Sequence, residues 1–142
     1  MNRKEKAIEY LNNSIAQILD FKKLENAKIA FFGSIEHSKN SIIPALQKFN
    51  IFSDEELNSL RICFDDILLN KNKGGDDLQV YHSTWPKHGM VVNKLTELKN
   101  IAEKKELSLY EKLIDSLRFS KRELIIGIVI AAISAILTWI IK

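Results

Sequence analysis

Residues 124–141 read LIIGIVIAAISAILTWII, eighteen consecutive residues without a charge. A bilayer's hydrocarbon core is about 30 Å thick and a helix rises about 1.5 Å per residue, so roughly 17–25 apolar residues span it. The run meets that requirement, and Trp139 stands near one end as an interfacial anchor. The feature predicts a single transmembrane helix at the end of the chain and constrains the rest to be a domain held at a membrane surface. Arg118, Lys121 and Arg122 precede the run and Lys142 follows it. That bias predicts a cytoplasmic N-terminal domain, at the inner membrane if the source is bacterial. The N-terminal MNRKEKAIEYLNNS is charged and amphipathic and reads as helix rather than as a signal peptide.

The residues before the run suffice for one small domain with its own core. We divide the chain into a helical domain, 1–120, and a basic juxtamembrane segment with the span, 121–142. Net charge is +3, too little to predict nucleic-acid binding. The charge is uneven. Residues 51–80 carry three basic against seven acidic side chains, and residues 81–123 nine against six. The basic stretch suits an anionic leaflet. Cys63 is the single cysteine, so no internal disulfide can form.

Apolar periodicity predicts a mainly α-helical fold of four or five short helices. In residues 3–24, Ile8, Leu11, Ile15, Ile18 and Leu19 recur at spacings of three and four. Residues 28–35, KIAFFGSI, fit either a buried strand or a helix; their length and helical flanks favour helix. Ser41 and Pro44 then suggest the start of a further helix, SIIPALQKF. Ser53 with Glu56 forms a capping box, and Phe52 and Leu57 are placed for a hydrophobic staple. Asp54, Glu55 and Glu56 complement the dipole of that helix, whose stripe continues through Leu57, Leu60, Phe64, Ile67 and Leu68. Gly74-Gly75 terminates it within the loop NKNKGGDD. Leu78, Val80 and His82 alternate ahead of Trp85-Pro86, which allows a short β-hairpin over 78–92. Helix resumes with Val91, Leu95, Leu98 and Ala102. Ser108 and Glu111 form a second potential capping box before Leu109, Leu113, Ile114 and Leu117.

No sequence constellation specifies a reaction. The chain lacks both GxGxxG and GxxxxGK[ST]. His37, His82 and His88 are too loosely spaced for a metal site, and no cofactor is expected. The candidate binding residues are Tyr81, His82, Trp85, Lys87 and His88, an aromatic and polar concentration in one segment. With Lys71 and Lys73 from the preceding loop, Lys87 offers positive charge to a small anionic ligand; a protein partner is the other expectation. Inside the span, Gly127, Ala131 and Ala135 recur every four residues, with Ser134 and Thr138 nearby. Small residues so spaced let helices approach closely, which predicts a homo-oligomer. The leading expectation is a non-enzymatic, membrane-anchored sensor or adaptor. The alternative is a membrane-perturbing effector, a toxin or defence protein that clusters its spans; a small membrane-tethered enzyme is a third.

Overall fold

The computed structural model describes residues 2–25, 27–74 and 76–106. Met1–Lys105 forms one compact unit. Its elements are α1 (Arg3–Asp20), a 3₁₀ turn (Phe21–Leu24), α2 (Lys28–Phe49), α3 (Asp54–Leu68) and α4 (Asp77–Lys104). The described residues contain no strand. Among them no helix is long and apolar enough to cross a membrane. The expected span 124–141, its small-residue face and the capping box at Ser108 lie outside the described residues.

The four helices pack as an up-down-up-down bundle in which sequence neighbours adjoin and α4 closes the ring against α1. Cross-helix bonds show the antiparallel pairing. The Lys4 ammonium donates to the Glu103 carbonyl at 2.7 Å, while His88 bonds the Ile18 carbonyl near the other end of α1. Lys39 pairs with Asp65 and Lys71 with Glu36 between α2 and the α3 region. Lys105 donates to the Ile51 carbonyl at 2.6 Å, fixing the end of α4 to the α2–α3 connection.

Each helix turns one stripe inward, and the stripes follow three-four spacing. Ala7, Leu11, Ser14 and Ile18 are buried on α1, and Leu57, Leu60, Phe64 and Ile67 on α3. On α4, Thr84, His88, Val91, Leu95, Leu98 and Ala102 are all within 1% of full burial. Burying one Leu, Ile or Phe side chain contributes about 1.5–3 kcal/mol, so this shared core dominates the stability. Leu19, expected on the inner stripe of α1, is instead 50% exposed.

The α2–α3 connection forms as its residues dictate. Asn50 takes a left-handed conformation with φ 51°, which Asn tolerates better than most non-glycine residues. Glu56 N–H donates to Ser53 Oγ at 3.2 Å, and Ser53 N–H to Glu56 Oε2 at 2.7 Å. Phe52 and Leu57 are both buried, as the staple requires. A second capping box, Asn2 with Glu5, starts α1.

Four expectations are corrected. Residues 78–92 lie within α4 and form no hairpin. Their apparent two-residue alternation is weaker than the three-four set that α4 buries, and Pro86 sits on the exposed face. Among the described residues the helices are four, as expected, but α2 and α4 are long rather than short, at 22 and 28 residues. No break occurs at Ser41, because α2 runs through Pro44, whose ring also faces solvent. Finally, α3 ends at Leu68, before Gly74-Gly75; the last turn closes through Leu69 N–H to the Asp65 carbonyl at 2.9 Å.

Candidate functional site

The five candidate residues fall on one helical stretch and divide between its inner and outer sides. Tyr81 and His88 are buried, at 5% and 1% exposure, and Trp85 packs partly buried against the core. His82 is exposed, its ring 5.8 Å from that of Tyr81. Lys87 reaches across to α3, donating to the Asp66 carbonyl at 3.0 Å. A helix of 3.6 residues per turn brings Tyr81, Trp85 and His88 into line, which a hairpin would not do.

These aromatic groups form a connected stack. The rings of Trp85 and His88 lie 4.3 Å apart and nearly parallel, at 13°. Tyr81 meets Trp85 at 5.3 Å and Phe31 of α2 edge-on at 5.3 Å. His88 Nε2 lies 2.7 Å from the Ile18 carbonyl. A carbonyl only accepts, so this bond assigns the proton to Nε2 and the neutral imidazole's lone pair to Nδ1. Burial holds the His88 pKa below its ordinary value, and the bond to Ile18 opposes that shift. The Tyr81 hydroxyl is buried without a hydrogen-bond partner. Burial first, then the Glu25 carboxylate, pushes its pKa up.

One polar contact beside this stack was not read from the sequence. Asn70 Nδ2 donates to Thr84 Oγ1 at 3.2 Å, and Thr84 Oγ1 donates in turn to the Val80 carbonyl at 2.7 Å. Both residues are at least 98% buried. The only local signal was an Asn ending an apolar stripe, a pattern shared by any solvated turn.

Two of the three cations expected to receive an anion are engaged, and the third, Lys73, is exposed. Lys71 pairs with Glu36 at 2.9 Å, and Lys87 is held by the Asp66 carbonyl. Burial raises the pKa of the half-buried Cys63 thiol, disfavouring the reactive thiolate. Among the described residues, no group of three His, Cys, Asp or Glu side chains could hold a metal ion. Exposed apolar side chains occur on every helix: Leu19 of α1, Ile29 of α2, Ile62 of α3 with Leu69 just beyond it, and Met90 of α4. No family model, curated protein or solved structure matches the chain.

Proposed function

We propose that this chain is a non-enzymatic, single-span membrane-anchored adaptor or sensor. Its N-terminal helical unit lies in the cytoplasm and its span self-associates. The observation carrying the reading is the chain order: a compact helical unit with its own core, followed by the uncharged run 124–141 with Arg118, Lys121 and Arg122 before it. A protein partner is favoured over a small anion, because Lys71 and Lys87 are engaged while Ile62, Leu69 and Met90 are exposed.

Three measurements test the reading. The full chain should resist alkaline carbonate extraction, and deletion of 124–142 should release it; extraction of the full chain would refute the anchor. Combined replacement of Gly127, Ala131 and Ala135 by Ile should reduce the cross-linked oligomer, and an unchanged oligomer would refute the packing face. The soluble fragment 1–120 should still capture the partner that the full chain captures. The effector reading draws on the absence of Pro and Gly between residues 107 and 123, which lets a helix run unbroken into the span. It predicts growth arrest and membrane depolarisation on expression, both abolished by the same deletion.

A further inference from the structure

The two halves of α4 are held by different means. Residues 91–104, VVNKLTELKNIAEK, contain neither Pro nor Gly and bury a wholly apolar inner stripe. Residues 77–90 read DLQVYHSTWPKHGM. They gather aromatic and hydroxyl residues with a Gly and a Pro, the last two the poorest helix formers. Pro86 leaves the His82 carbonyl without its usual N–H donor. The cap at Asp76 makes no side-chain hydrogen bond. This half is helical because its neighbours hold it so. Three side-chain ties fall within five residues around Pro86: Thr84 to Asn70, Lys87 to the Asp66 carbonyl, and His88 to the Ile18 carbonyl.

We propose that residues 77–90 are a releasable half of α4, and that His88, buried against α1, is the group through which acid releases it. His88 is the one tie whose charge changes near neutrality. It bonds the last turn of α1, where the Ile18 carbonyl also accepts from Phe21 N–H. Protonation places a positive charge on a ring that is 1% exposed, with Trp85 stacked on it and Phe31 6.3 Å away. Several charged groups of the packed helices have other partners. Asp20 of α1 pairs with Lys23, Glu36 bonds Lys71, and Asp65 of α3 bonds Lys39. Lys87 is on the Asp66 carbonyl, His37 of α2 is exposed, and the Glu25 carboxylate acts on the Tyr81 phenol. What acts on the His88 proton is burial, opposed by the Ile18 carbonyl. A released His88 therefore takes up a proton at a higher pH than the packed one. As pH falls below the ordinary value of 6.5, the released state gains and the packed state weakens. Nothing in this device depends on how the chain meets a membrane.

The test is hydrogen exchange of the full-length chain in detergent micelles at pH 7.5, 6.5 and 5.5, corrected for the intrinsic chemical rate. Peptides covering 77–90 and the end of α1 should lose protection, by up to about tenfold per pH unit below 6.5. Residues 91–102 should keep theirs. The variant His88→Gln retains a donor but no titrating proton, and its protection should be flat with pH. A response in His88→Gln equal to wild type would overturn the proposal, as would loss of protection in 91–102 in step with 77–90. Should His88→Gln fail to fold, the wild-type imidazole titration decides. Its midpoint must lie below the ordinary histidine value of 6.5, and a midpoint above it, from the Trp85 face or the α1 carboxyl end, refutes it.

Discussion

Replacing Thr84 by Val tests whether the buried polar pair holds the α3–α4 turn. The two side chains have nearly the same shape, so packing is largely preserved and the hydroxyl is the main change. Asn70 Nδ2 then loses its 3.2 Å partner in a site where Asn70 is 2% exposed. An unsatisfied buried donor costs about 1–3 kcal/mol. In a unit of this size that lowers Tm by roughly 4–8 °C per kcal/mol. The reciprocal change, Asn70→Leu, should cost less, because Thr84 Oγ1 keeps its 2.7 Å bond to the Val80 carbonyl. The double variant should be more stable than Thr84→Val alone, since both partners are then apolar. Urea unfolding of fragment 1–106, with the two single variants and the double, measures the coupling directly. Additive effects, or a Thr84→Val fragment as stable as wild type, would show that the pair contributes nothing to the fold.

Phe64 is fully buried on α3, so Phe64→Ala should destabilise by about 3–5 kcal/mol, measured by the same urea titration. Ser53→Ala removes the acceptor for Glu56 N–H and should cost about 1 kcal/mol, seen as a lower midpoint at unchanged slope. Pro44 is exposed inside α2. Pro44→Ala restores a donor to the Asn40 carbonyl and removes a helix-interior penalty of about 3 kcal/mol, partly offset by about 0.4–1 kcal/mol of unfolded-state entropy. A fall in Tm for Pro44→Ala would contradict that argument. The Cys63 thiol, its pKa raised by burial, should react with a thiol reagent at pH 7 more slowly than free cysteine, and equal rates would refute its shielding.

The helices were legible wherever local and tertiary signals agree. Ser53, Glu56, Phe52 and Leu57 announce the start of α3 within six residues, and capping is a short-range interaction that a sequence states directly. Val91, Leu95, Leu98 and Ala102 are both helix-compatible and buried, so their spacing was sufficient. The first half of α4 was misread because its residues prefer other conformations while its neighbours impose helix. The partners that impose it, Asn70, Asp66 and Ile18, are distant in sequence. The same holds for Pro44, whose cost depends on which way its ring faces. Of the candidate site, the line Tyr81, Trp85 and His88 was found as a concentration of residue types. That His88 would be an interior group bonded to α1 could not be read, because burial belongs to the bundle and not to the segment.

The closure of α4 against α1 has a consequence during synthesis. Of the four described helices, the first in the chain has as its principal partner the fourth. Ile18 must wait for His88, 70 residues later, which at roughly 5–20 residues per second is a delay of about 4–14 s. Through that interval the stripe of Ala7, Leu11 and Ile18 lacks its final cover. One side of α1 thus stays uncovered by its main partner until α4 emerges.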